Sequence, residues 1–306
     1  MVYDVIIIGG GPAGMTSAIY SCRRNMRALL IEKAGIGGRM SLAGEIENYP
    51  GIEKVSGMEL AERMKKQMQS FGAEIRTEEV IGMDFQKEVK KIITKENEYE
   101  SSAVIIATGS EHRKLDVGGE REFTGRGVSY CATCDAPFFK DKIVAVVGGG
   151  NSAVSEALHI ADVAKRVYLI HRREEFRAED VKLKDLFSME NVEPVLNTTV
   201  EEIQGDKFVN RIRIRNTESG EERLLDVDGI FIAIGYVPAT SIARSAGVSV
   251  DDNDFIIVDK EQKTNITGVF AAGDCTGGLM QVSTAVGEGS VAAISACRYV
   301  KEPYWK

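Results

Sequence analysis

Val5-Ile6-Ile7-Ile8-Gly9-Gly10-Gly11-Pro12-Ala13-Gly14 decides the fold of this 306-residue chain. The run ending at Ile8 is apolar and β-branched without alternation, as in a strand buried on both faces of a parallel sheet. Met15, Ala18, Ile19 and Cys22 follow at helical spacing. Between strand and helix, Gly9, Gly11 and Gly14 stand where a dinucleotide-binding turn needs them. The first permits the tight turn, the second lets backbone approach a pyrophosphate, and the third lets helix and strand pack closely. The start of the helix, at Pro12 and Ala13, then faces the phosphate charge with its free amides. A second strand, residues 28–31, ends at Glu32, an acid placed to accept hydrogen bonds from a ribose.

The pattern returns. Residues 143–147 read as another buried strand, and Gly148-Gly149-Gly150-Asn151-Ser152-Ala153 follows with Gly148, Gly150 and Ala153 in the three key places. Two such starts in one chain mean two dinucleotide sites. The strand after the second turn, residues 167–170, does not end in an acid. It runs into His171-Arg172-Arg173-Glu174-Glu175-Phe176-Arg177. Guanidinium groups there can grip a ribose 2′-phosphate through paired hydrogen bonds, which favours NADPH over NADH. The plainer reading is a solvated turn whose arginines are neutralised by Glu174 and Glu175. His171 reads as structural rather than catalytic, and neither His112 nor His159 has a partner pattern.

Tyr130-Cys131-Ala132-Thr133-Cys134-Asp135 carries the chemistry. Two cysteines separated by two residues close a small, reducible disulfide ring, and the acid beside the second can give a proton to a thiolate and take it back. In an intracellular-looking chain such a pair is catalytic or transient. Half of a zinc site is the structural alternative, but no second Cys-x-x-Cys or His pair sits at ligand spacing, so no metal is expected. Cys22, Cys275 and Cys297 are scattered and read as small buried hydrophobes.

The remaining chain fits two domains. Residues 35–51 are a glycine-rich loop, and 57–71 an amphipathic helix with Leu60, Met64, Met68 and Phe71 on one face. A meander is expected at 79–85, 89–94 and 99–101, then a separate buried strand at 103–106 that runs into Ala107-Thr108-Gly109. A second meander, residues 195–215 and 223–227, precedes a strand at 229–234, so the architecture repeats. Gly268-Val269-Phe270-Ala271-Ala272-Gly273-Asp274 puts a carboxylate at a strand end, within reach of a cofactor's polar chain. Residues 281–297 read as a helix whose start carries small residues close to something bulky. A net charge of −8 argues against nucleic acid or anionic membrane as partner. The apolar start is too short to span a bilayer and does not resemble a signal peptide, so the cytoplasm is the expected compartment.

Together these motifs, with Glu47-Asn48-Tyr49-Pro50-Gly51, closely resemble the low-molecular-weight thioredoxin reductases of bacteria, archaea and plants, over nearly the whole chain. The resemblance implies two Rossmann-like, three-layer ββα domains of the α/β class. Residues 1–113 and 243–306 would bind FAD, and 114–242, inserted between them, would bind NADPH and carry the cysteine pair. For FAD it implies Gly9, Gly11, Pro12, Ala13, Gly14, Glu32, Gly38, Arg39, Asn48, Ala107, Thr108, Gly109, Gly273, Asp274, Gln281 and Val282. For NADPH it implies Gly148, Gly150, Asn151, Ser152, Ala153, His171, Arg172, Arg173 and Arg177. Cys134 would lie nearer the flavin, Cys131 would attack the disulfide of thioredoxin, and Asp135 would act as acid and base, in a homodimer. Electrons would run from NADPH to FAD, to Cys131–Cys134 and to thioredoxin. Relatives that use reduced deazaflavin or ferredoxin as donor, or another small thioredoxin- or glutaredoxin-like acceptor, are the alternative. Arg39 stands where many members carry Gln. The aromatic tail Tyr304-Trp305 is expected to pack weakly on a neighbouring surface or, as the sharper alternative, to stack over the flavin or at the dimer interface.

Overall fold

The computed structural model of the chain describes residues 2–302, so the expectation for Tyr304 and Trp305 lies outside the described residues. Two compact units divide it. The residues up to Glu111 join those from Val237 onward, and His112–Tyr236 form the other.

In the outer unit, strands Glu74–Thr77, Ala28–Glu32, Val2–Ile8 and Glu98–Ile106 lie in that order, all parallel. Helices Pro12–Arg23, Gly57–Ser70 and Val282–Lys301 belong to the same unit. Met64 and Met68 fill the core on one face of the sheet, beside Met15, Leu30 and Ile105. Ile6, Leu29 and Val104 point to a second cluster on the other face, the alternation a strand imposes.

One sequence expectation changes. The stretch divided at 99–101 and 103–106 is a single strand, Glu98–Ile106. One edge of it runs along Val2–Ile8. The other edge is shared: residues 98–101 pair antiparallel with the meander strand Lys90–Thr94, and 104–106 pair parallel with Val269–Ala271. Its burial switches from alternating to continuous where the partner changes, and that switch imitates a break between two strands.

The last helix also differs, extending to Lys301. Its small residues face protein backbone. A Cβ on Gly289 would lie 2.3 Å from the Ala13 carbonyl oxygen. The Ser17 hydroxyl donates to the carbonyls of both Ala13 and Gly289, at 2.9 Å each.

The inserted unit has a five-stranded parallel sheet in the order Val192–Val195, Arg166–Ile170, Ile143–Val147, Gly229–Ile232, Val128–Ser129. Val144, Val146 and Leu169 meet residues of helices Asn151–Ala161 and Asp180–Phe187 on one face. Ala145, Val147 and Ile170 meet a separate antiparallel sheet, Thr198–Gly205, Val209–Asn216 and Glu222–Asp226, on the other. The layers are thus antiparallel sheet, parallel sheet and helices. Here the meander forms its own sheet, whereas in the outer unit it hydrogen-bonds onto the main one.

Candidate functional site

In the outer unit the three glycines of the first turn have different reasons to be glycine. Gly9 has φ +108°, and a Cβ there would lie 2.2 Å from the Ala107 carbonyl oxygen; one on Gly14 would lie 1.9 Å from the oxygen of Gly9. Protein packing alone demands both. A Cβ on Gly11 would meet no atom within 4 Å, so the space beside it is open to a ligand. Gly11 is also the N-cap of the first helix, Pro12 and Ala13 open that helix, and no side chain caps it. Open space, a glycine the protein does not need and uncapped amides fit a pyrophosphate such as that of FAD.

Glu32 stands beside this turn, its carboxylate accepting from the amides of Gly10 (2.7 Å) and Ala34 (2.9 Å). Gly38 is adjacent: its Cβ would lie 3.2 Å from Gly11 Cα. The Asp274 carboxylate accepts from Arg39 Nη1 at 3.2 Å and from the Ser110 hydroxyl at 3.1 Å. The unusual Arg39 therefore orients the acid at the strand end. Asn48 Nδ2 donates to Gln281 Oε1 (2.9 Å), and Gln281 caps the last helix, which starts at Val282. The amide of Ala107 donates to Ile8, and Gly109, at φ +69°, turns the chain after Thr108. Sequence reading missed Ser110 and Glu288. The latter, its carboxyl pushed up by burial, accepts from the Gly273 amide at 2.7 Å. A lone acid between Gly287 and Gly289 in an otherwise apolar, small-residue helix was the available signal.

A direct test follows from the glycines. Gly11→Ala is expected to fold but to lose most of its flavin, whereas Gly14→Ala should fold poorly. Flavin absorbance per chain and the melting curve of each variant separate the two effects. A Gly11→Ala protein with full flavin content would remove the assignment.

In the inserted unit the parallel sheet brings its motifs to one edge. Gly148 follows Val147, His171 follows Ile170, and Tyr130-Cys131 follows Ser129, all at carboxyl ends of parallel strands. In open α/β sheets that edge is where ligands bind. Gly148 is packed against Ala233 and Ala153, while a Cβ on Gly150 would meet nothing within 4 Å. Asn151 and Glu179 exchange two hydrogen bonds, at 3.0 and 2.8 Å, and Ser152 is exposed.

The imidazole of His171 lies on Gly149, whose Cβ would be 2.2 Å from the ring, and it stacks on Phe176 at 5.3 Å. Burial, then the guanidinium groups of Arg177, Arg173 and Arg172, lower its pKa. The Arg177 amide donates to Gly149 O at 2.7 Å, tying the arginine loop to the glycine turn. Arg172, Arg173 and Arg177 are exposed. Among the described residues no ion pair joins any of them to Glu174 or Glu175, so the neutralised-turn reading lacks its contacts.

Cys131 and Cys134 form a disulfide, with Cα atoms 5.4 Å apart. Cys131 caps the one-turn helix Ala132–Asp135, its sulfur accepting from the Cys134 amide at 3.3 Å. The Ser129 hydroxyl accepts from the Cys131 amide at 3.1 Å. Asp135 is partly exposed, and among the described residues its carboxylate has no hydrogen bond or ion pair. Phe138, four residues beyond Cys134, is 72% exposed, while Phe139 is buried edge-on to Phe231. Cys275 is fully buried and its thiol is pushed up to about 11; Cys297 is buried too.

Glu156, on the helix after the second turn, has its carboxyl pushed up to about 7 by burial, with Oε2 lacking a hydrogen-bond partner. The unfolded chain ionises this group near pH ~4.3. Folding therefore retains a proton between that pH and about 7, and stability falls as pH rises through this window. Glu156→Gln is expected to stabilise the protein at pH 8 by on the order of 1–3 kcal/mol, with no gain at pH 4. Melting temperatures at the two pH values test it; an equal gain at both would exclude the titration.

Comparison with known proteins agrees with this geometry. A family model described as pyridine nucleotide-disulphide oxidoreductase matches residues 3–289. The curated thioredoxin reductase of Listeria innocua is 44% identical, over 98% of this chain and 95% of its own length. Among solved structures, thioredoxin reductase of Lactococcus lactis matches with a TM-score of 0.90 at 41% identity, covering 98% of this chain and 99% of that one. A ferredoxin-flavin thioredoxin reductase of Clostridium acetobutylicum matches with a TM-score of 0.54 at 38% identity, covering 99% of each chain. The chain belongs to the pyridine nucleotide-disulphide oxidoreductases and, within them, to the low-molecular-weight thioredoxin reductases.

Proposed function

We propose that this protein is an NADPH-dependent thioredoxin reductase, working as a homodimer in the cytoplasm. The observation that carries the reading is the Cys131–Cys134 disulfide at the same sheet edge as the second glycine turn and the arginine loop. FAD and NADPH, when bound, would supply the hydride transfer that no side chain offers. The outer unit holds FAD around Gly11, Glu32 and Asp274; the inserted unit holds NADPH around Gly150 and the three arginines.

The cysteines do the rest. In the reduced pair, the Cys131 thiolate attacks one sulfur of the thioredoxin disulfide and expels the other as a thiolate, leaving a mixed disulfide. The Cys134 thiolate then attacks Cys131 sulfur, re-forms the Cys131–Cys134 bond and releases the second thioredoxin thiolate. Asp135 takes the proton of a cysteine thiol as the attacking thiolate forms and gives it to the departing thioredoxin thiolate. Phe138, exposed beside the pair, offers a protein acceptor an aromatic anchor. Among the described residues no helix is long and apolar enough to cross a membrane.

The Clostridium relative is described with ferredoxin as donor, which gives the second reading. The exposed arginines favour NADPH, because a protein donor has no 2′-phosphate for them to hold. Anaerobic reduction of the flavin by NADPH, NADH, reduced ferredoxin or reduced deazaflavin decides between donors, with thioredoxin as acceptor. NADPH is expected to be the efficient donor, and reduction by ferredoxin alone would overturn that.

A further inference from the structure

The segment leading into the redox pair is tied to a buried acid that the reaction does not use. Glu120 is 1% exposed. Its Oε1 accepts from the Leu115 amide at 3.1 Å and from the Tyr130 hydroxyl at 2.6 Å, and its Oε2 accepts from the Asp116 amide at 2.7 Å. Tyr130 immediately precedes Cys131. The Tyr130 ring also meets His112, at 5.5 Å between centroids, and His112 meets Tyr236 at 4.9 Å. His112 and Tyr236 are the first and last residues of the inserted unit. One carboxylate and three rings thus connect both ends of this unit to the residue before the disulfide.

We propose that Glu120 and Tyr130 are positioning residues for the Cys131–Cys134 couple, setting how readily it interconverts between disulfide and dithiol. The inference rests on reading that pair as the redox centre. Neither side chain reacts. The Glu120 carboxylate fixes the Tyr130 hydroxyl, and the fixed Tyr130 holds the backbone of Cys131 over the short helix that carries Cys134. Ring closure between two thiols is favoured when the chain holds them near bonding distance in the reduced state as well. Loosening Tyr130 lowers that effective concentration, so the dithiol gains at the expense of the disulfide. Burial, and then the hydrogen bond to Glu120, raise the phenol pKa, so this donor persists across the working pH range.

Tyr130→Phe keeps the ring and its contacts and removes only the hydroxyl. In the FAD holoenzyme, the couple is equilibrated with glutathione redox buffers, the thiols are alkylated, and the Cys131–Cys134 peptide is read by mass. The equilibrium is expected to move three- to tenfold toward the dithiol, about 15–30 mV at ~30 mV per tenfold for two electrons. kcat with thioredoxin should change while KM for NADPH does not. Glu120→Gln should shift the couple the same way, because an amide cannot accept from both backbone N–H groups and the phenol. If Glu120→Gln fails to fold, Tyr130→Phe alone decides. A midpoint within twofold of wild type, or a shift matched by an equal change in KM for NADPH, overturns the proposal. A wild-type protein that does not reduce disulfides would instead overturn the reductase reading.

Discussion

Cys134→Ser is expected to abolish thioredoxin reduction while leaving the bound flavin fully bleachable by NADPH. Turnover should fall by a factor on the order of 10⁴ or more, the scale seen when a covalent catalyst loses a reacting group. The remaining Cys131 thiol can attack thioredoxin, but no second thiol stands three residues on to resolve the mixed disulfide. The other cysteines cannot substitute. Burial raises the thiols of Cys22 and Cys275, and Cys275 and Cys297 are buried. A mixed disulfide with thioredoxin should therefore accumulate, visible on a non-reducing gel. Anaerobic mixing with NADPH supplies the other half of the test. Failure of the variant's flavin to bleach would mean that the pair is needed before, not after, the flavin.

The second large effect concerns donor choice. Replacing Arg172, Arg173 and Arg177 together by Ala is expected to lower kcat/KM for NADPH by roughly a hundredfold or more. A charge-assisted hydrogen bond contributes about 1.5–3 kcal/mol, so each lost arginine costs about ten- to a hundredfold before the effects overlap. NADH lacks the 2′-phosphate, and its kcat/KM should stay level or improve. The exposure of the arginines and the absence of ion pairs to Glu174 and Glu175 among the described residues make the prediction sharp. Among the described residues no ion pair of these arginines would be lost with them. If the triple variant keeps the wild-type ratio of NADPH to NADH efficiency, the arginines are a solvated turn after all.

Much of this was legible in the residues because local rules and tertiary structure agree there. Gly9 and Gly14 each meet a separate backbone requirement and Gly11 leaves open space between them, so a strand–turn–helix was readable without long-range information. Cys131-x-x-Cys134-Asp135 likewise carries its chemistry within five residues. What stayed hidden depends on distant partners. Glu98–Ile106 looked like two strands because its second edge is shared between Lys90–Thr94 and Val269–Ala271, more than 160 residues apart. Ser110 and Glu288 were missed because each becomes part of the site only where separate segments meet, at Asp274 and Gly273. Glu120 gives no local signal at all; its importance arises from the hydroxyl of Tyr130 ten residues away.

The contact between Gly289 and Ala13 has a consequence for how the protein is made. The last helix lies against the first, and Val269–Ala271 completes the sheet that begins at Val2. The outer unit therefore cannot close until the helix Val282–Lys301 has left the ribosome. His112–Tyr236, continuous in sequence, is released earlier and can fold as a unit of its own. Once residues 112–236 have emerged, the middle of the nascent chain can be structured while its beginning still waits for the last helix. Flavin capture by the outer unit has to wait until the last helix, Val282–Lys301, has been made.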